Sequence, residues 1–240
     1  MTSAHAGLRL LIIGCALLLA SRASHAVTLS SLLQGGSITS GDILLTDWTF
    51  NHLETEGGAT VLLDQIEVFP LADDPFNPGI GYFAFPGAFS SADDHEGASV
   101  AELSYSFNVQ TVSGEASIED NSAEIIAFAF SARPAARIRV IQYVENQSGS
   151  DLSQLVAFAK PPDMSETLNL FVSEIFQQPQ AFLHVETTLV VSAPLINDFV
   201  RLSRFEQRFG REMPVPEPAA LFLAGQLLCL CTCAFRPRRG

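Results

Sequence analysis

From Ala101 to Gln110 apolar and polar side chains alternate without a break: Ala101, Leu103, Tyr105, Phe107 and Val109 against Glu102, Ser104, Ser106, Asn108 and Gln110. Successive side chains of an extended chain point to opposite faces, so this stretch predicts a half-buried strand. Leu183, Val185, Thr187, Leu189 and Val191 repeat the pattern against Phe182, His184, Glu186, Thr188 and Val190, less cleanly. Further strands are predicted at residues 60–68, 115–118, 124–130, 137–145, 155–159 and 168–175, and Asp47-Trp48-Thr49-Phe50 begins or continues another. Turn signals separate them: Asp73-Asp74-Pro75, Asn77-Pro78-Gly79, Gln147-Ser148-Gly149 and Pro161-Pro162-Asp163. Residues 28–33 predict a short helix, with Thr28 or Ser30 as N-cap. Many short strands without long helical patterns predict an all-β body, an antiparallel β-sandwich or jelly roll. Residues 197–213 are ambiguous. Phe199, Leu202, Phe205 and Phe209 fit one side of a helix; Phe199, Arg201, Ser203, Phe205, Gln207 and Phe209 fit one face of a strand.

The two ends follow a different pattern. Arg9 precedes an apolar stretch from Leu10 to Ala20, and Ser24-His25-Ala26 places small residues three and one positions before Val27. This is the layout of a secretory signal peptide over residues 1–26, with cleavage between Ala26 and Val27. A competing reading takes Ile12-Ile13-Gly14-Cys15 as a lipoprotein box acylated at Cys15. At the other end, Val215-Pro216-Glu217-Pro218 leads into 17 predominantly apolar residues, 219–235, and then Arg236, Arg238 and Arg239. As a helix that run spans roughly 25 Å, near the lower limit for crossing a bilayer. Pro218 suits a first helical turn, and the arginines predict a cytoplasmic end, so the body faces outward. The expected division is therefore a signal peptide at 1–26, a β body at 27–213 and a sorting or anchor segment at 214–240.

The tripartite tail resembles the PEP-CTERM sorting signal of exported bacterial proteins. Val215, Pro216, Glu217 and Pro218 match its motif, while Gln226 and the cluster Cys229, Cys231 and Cys233 depart from its usual apolar run. The resemblance implies an exosortase-type enzyme as partner, transient residence in the inner membrane, and a cell-surface or extracellular destination associated with exopolysaccharide. An uncut C-terminal membrane anchor is the alternative. Residues 28–42, with Gly35-Gly36-Ser37-Ile38 and Gly41-Asp42, resemble the opening of a group of uncharacterised PEP-CTERM proteins, and Glu206-Gln207-Arg208-Phe209 resembles their last strand. That favours a strand for residues 198–209.

Charge and cysteine narrow the chemistry. All four cysteines lie in the two end segments, so the body has no disulfide and rests on its apolar core. From Val27 to Ala132 there are 16 Asp or Glu and no Lys or Arg; from Arg133 to Pro218 there are 10 acidic and 8 basic residues. So acidic a body repels nucleic acid and anionic lipid. No cofactor is expected beyond one candidate, calcium, whose oxygen ligands would come from Asp93, Asp94 and Glu96; Asp73-Asp74 and Glu119-Asp120-Asn121 are similar clusters. None has EF-hand spacing. His52, His95 and His184 are too few for a zinc site to be the first choice. The chain shows no Gly-x-Ser-x-Gly elbow, phosphate loop or His-Glu-x-x-His, and no catalytic residue is assigned. Eighteen Phe against three Tyr and one Trp argue for core packing over a rich sugar-stacking face, and Trp48 is expected in the core. Lys160, the only lysine, is expected to be solvated. The leading expectation is a non-enzymatic surface or matrix protein. A carbohydrate-binding module is the alternative, predicting a wet aromatic or an Asp/Asn cluster on one sheet face. A secreted hydrolase comes third.

Overall fold

The computed structural model describes residues 26–92, 98–114, 117–130, 136–161, 169–195 and 197–211. Fourteen strands dominate them: β1 (Val27–Thr28), β2 (Ile38–Ser40), β3 (Ile43–Glu56), β4 (Thr60–Val61), β5 (Ile66–Leu71), β6 (Gly79–Ala84), β7 (Phe89–Ala92), β8 (Ser99–Thr111), β9 (Ile118–Phe130), β10 (Arg137–Asn146), β11 (Asp151–Ala159), β12 (Phe171–Gln180), β13 (Phe182–Ala193) and β14 (Phe199–Arg208). One short helix, α1 (Leu29–Leu32), begins at Thr28, whose Oγ1 accepts from the Ser31 N–H at 3.3 Å. It drops Leu29 and Leu32 fully into the core. The stretch 60–68, expected as one strand, is broken by a 3-10 turn at Leu63–Gln65, so pairing restarts at Ile66.

Every pairing is antiparallel. One sheet has six strands in the order β11-β10-β13-β8-β3-β2; in the other, β1-β5-β6 leads to β14, which also pairs β7 and, along its other edge, β9 and then β12. The sheets face each other, as in a β-sandwich. The alternation read in β8 holds: Ala101, Leu103, Tyr105, Phe107 and Val109 are fully buried. In β13 burial alternates from end to end. Tyr82 of β6 stacks on Phe205 of β14 at 4.1 Å and lies 5.9 Å from Tyr105 of the facing sheet. Polar side chains also bridge the layers. Tyr82 donates to Gln207 Oε1 at 3.0 Å, and Gln207 Nε2 donates to Thr187 Oγ1 at 2.7 Å. Burial pushes the Tyr82 and Tyr105 hydroxyls well above their usual range, so both stay neutral, and Tyr82 uses its proton on Gln207.

The ambiguous C-terminal stretch is a strand, and its buried face is the one the sequence pattern suggested only from Phe205 onward. Val200 and Leu202 point inward, then Phe205, Gln207 and Phe209. Pairing with β9 slips between Leu202 and Phe205, and the slip reverses the parity. Gly79 of β6 sits so close to β14 that a Cβ there would strike the Gln207 carbonyl oxygen. Lys160 is also not where expected. It is 2% exposed, just past the end of β11 between buried Ala159 and Pro161.

Candidate functional site

The site is built on the outer face of the six-stranded sheet, and a bulge in β3 sets it up. Thr46 pairs Asn108 and Thr49 pairs Ser106, so Asp47 and Trp48 together oppose Phe107. Asp47 takes a positive φ of 54°, a conformation Asp tolerates better than most side chains. The two residues consequently face opposite ways. Trp48 turns inward, 4% exposed, and stacks on Phe107 at 4.4 Å. Asp47 turns outward and its Oδ2 accepts from Asn108 Nδ2 at 2.9 Å.

From Asp47 a row of polar side chains crosses the strands. Asn108 Oδ1 lies 2.9 Å from His184 Nδ1. Because an amide oxygen can only accept, His184 Nδ1 carries the proton of this hydrogen bond and donates it to Asn108 Oδ1. His184 pairs Glu145 of β10, and Glu145 pairs Asp151 of β11. The row thus runs Asp47, Asn108, His184, Glu145, Asp151 over five adjacent strands.

A second row lies beside it. Ser106 pairs Glu186, Glu186 pairs Tyr143 and Tyr143 pairs Gln154. Tyr143 is 43% exposed and its hydroxyl accepts from Gln154 Nε2 at 2.9 Å, which orients a ring that remains open to water. On the far side of the first row, half-buried Phe182 pairs Gln110. One strand position further along, Ser104 Oγ donates to Glu186 Oε1 at 3.1 Å. The face therefore combines fixed hydrogen-bonding groups with aromatic rings on both sides and an excess of carboxylates. It is suited to hydroxyl-rich neutral ligands and repels polyanions.

The residues singled out from sequence fall elsewhere. Asp93, Asp94, His95 and Glu96 lie outside the described residues, as do the motif Val215, Pro216, Glu217 and Pro218 and the arginines Arg236, Arg238 and Arg239. The predicted cleavage pair Ala26 and Val27 stands at the entry to β1, where Val27 pairs Val68. No helix among the described residues is long and apolar enough to cross a membrane, and the run 219–235 is not among them. The other oxygen clusters have structural partners. Asp73 receives Arg208 Nη1 at 3.0 Å, and that hydrogen bond holds its carboxyl below the usual range. Asp74 Oδ1 accepts from the Phe76 N–H at 2.9 Å. Asp120 accepts from the Gly210 N–H at 3.0 Å, while Asn121 is buried against Gln142 and Ser153. Among the described residues no three His, Cys, Asp or Glu side chains converge as a metal site. Trp48 lies in the core, as expected, so its ring is not available to stack on a sugar. The polar rows were missed because they exist only once five strands are in register.

No protein-family model and no curated protein matches this chain. Similar solved structures include TmCBM61 in complex with β-1,4-galactotriose, at 9% identity over 69% of this chain and 88% of that one, with a TM-score of 0.28. TmCBM27, a mannan-recognising carbohydrate-binding module, gives 9% identity over 79% and 97% with a TM-score of 0.31. The enzymatically active domain of bacteriophage CBA120 tailspike protein 4 gives 11% over 69% and 19% with a TM-score of 0.26. Likeness at these scores assigns no activity to this chain.

Proposed function

We propose that this is an exported, non-enzymatic surface or extracellular-matrix protein whose body binds a neutral polysaccharide on the outer face of the six-stranded sheet. The observation that carries the reading is the row from Asp47 through Asn108 to His184, tied by two hydrogen bonds of 2.9 Å and flanked by the open ring of Tyr143. Side chains fixed in this way lose little conformational freedom when a ligand docks. The row offers acceptors to sugar hydroxyls, and the tyrosine ring offers an apolar surface to the C–H face of a pyranose. The signal-like N-terminus and the Pro-Glu-Pro tail support the part of the proposal in which the body is exported and is held by the tail in the inner membrane until a sorting enzyme of the exosortase type acts.

Affinity electrophoresis of the full chain in gels containing neutral glucan, mannan or galactan, with alginate as the anionic control, tests the reading. Retardation is expected in at least one neutral polymer and not in alginate. Tyr143→Ala and Asn108→Ala should each weaken it about tenfold, the scale of one or two lost contacts. Variants that bind as tightly as the parent would remove the face from consideration.

A further inference from the structure

A cleft of about 370 Å³ opens beside the outer face, between the edge strands of the two sheets. It is lined by Asn146, Asp151, Glu174, Gln177, Gln178 and Gln180. Its origin is a break in pairing. Ile175 pairs Asp120 and Gln180 pairs Ile118, so four residues of β12 leave the ladder where β9 supplies only one. Pro179, which has no N–H to give, lies in this segment. Phe176 anchors the segment by turning into the core at 7% exposure, which leaves Gln177 and Gln178 pointing to water. Ile175, 79% exposed, stands at the cleft's lip.

Asp151 belongs to both features. It is the last member of the row across the sheet and one wall of the cleft. We infer that row and cleft form one continuous site, and that its ligand is an extended neutral oligosaccharide, not a single sugar or a chain end. This deepens the proposed polysaccharide reading and rests on it. Five strands at ordinary spacing span about 19 Å, and a sugar ring repeats at close to one strand spacing, so the row takes roughly four or five rings before the cleft takes the next. The cleft's lining contains amides and carboxylates and no Lys or Arg. Amides pair with hydroxyls as donors and acceptors at once, while the carboxylates reject uronic acids and sulfated or phosphorylated chains.

The test is calorimetric titration of the full chain with β-1,4-linked glucose, mannose and galactose oligosaccharides of increasing length. Affinity in the binding series is expected to keep rising beyond four units. The double variant Gln177→Ala/Gln178→Ala should lower hexasaccharide affinity about fivefold to thirtyfold and leave trisaccharide affinity unchanged, whereas Asn108→Ala should weaken every length. A plateau at two or three units, or a hexasaccharide affinity untouched by the double variant, overturns the continuous site; if Asn108→Ala still weakens binding, the polysaccharide reading stands alone. Absence of binding to all three series overturns both.

Discussion

Trp48 shows how one residue can be chemically suggestive and structurally committed. Its ring stacks on Phe107 at 22° and 4.4 Å, with Tyr105 beyond at 6.1 Å, and its buried Nε1 has no hydrogen-bond partner. An indole N–H without an acceptor is a cost to the fold, so the ring is retained for its packing. Trp48→Phe keeps an aromatic in the stack and removes the unpartnered donor, while leaving a small void. The two effects oppose, and urea unfolding should find a loss within about 1.5 kcal/mol. Trp48→Ala removes the stack as well and should cost about 3–5 kcal/mol. Polysaccharide binding by the folded Phe variant should equal that of the parent, because the indole faces away from the polar rows. A folded Trp48→Phe protein with impaired binding would mean that the bulge shape, and through it Asp47, depends on the indole itself.

At the scale of elements, β14 is tied at its end by two carboxylates whose environments act in opposite directions. Burial raises the Asp120 carboxyl above its ordinary 3.8, against the lowering effect of the Gly210 N–H. The folded state therefore holds that proton more tightly than the unfolded chain, and the contribution to stability grows as pH falls through the raised value. Asp73 has the reverse sign. The Arg208 guanidinium lowers its carboxyl, giving stability that is present above 3.8 and lost as pH falls through the depressed value. Asp73 is largely exposed, so its share at neutral pH is at most about 1 kcal/mol. Thermal unfolding across pH should therefore find Asp120→Asn stabilising and Asp73→Asn destabilising at pH 7, with both differences vanishing in acid. Equal signs at pH 7 would break the argument. These ties were invisible in the sequence, where Asp73-Asp74 and Glu119-Asp120-Asn121 looked like lesser versions of the cluster at Asp93, Asp94 and Glu96, because an acid's partner is set by which loop end meets it. The strands themselves were legible where one face is buried and the pairing is regular, as in β8 and β13. Where a slip intervenes the period fails: β14 reads as helix or strand because its inward parity changes midway. Edge strand β12 buries only Phe176 fully and offers almost no alternation.

For the whole molecule, the proposed sorting step is constrained by how the chain leaves the sandwich. The chain leaves the sandwich under tight control. The Phe209 N–H donates to the Pro78 carbonyl at 2.9 Å, Gly210 N–H to Asp120 at 3.1 Å, and Arg211 N–H to Phe76 at 2.8 Å, while the Arg211 guanidinium pairs with Asp42. From Arg211 to Pro216 the covalent chain reaches at most about 17 Å. Any enzyme that acts at Pro-Glu-Pro must therefore work close to this end of the sandwich, which carries Asp42, Asp73, Asp74 and Glu119. With Arg208 and Arg211 already paired to Asp73 and Asp42, this end offers little to an anionic lipid surface, so on the proposed reading attachment to a membrane would rest on the run 219–235 and the arginines after it. On that reading, cutting near the motif would release the body. If the motif is what the enzyme reads, changing Pro216, Glu217 and Pro218 to alanine leaves the apolar run intact and blocks release. Full-length protein should accumulate in the inner-membrane fraction, and the shortened form found outside the cell should fall to background on immunoblots. A variant released at the parental rate and size would mean that the tail is handled without reference to Pro-Glu-Pro, and an unchanged full-length parent in the membrane would make the tail a permanent anchor. The binding face proposed above begins at this same end, since Gln180 of the cleft pairs Ile118 and Ile118 bridges Arg211.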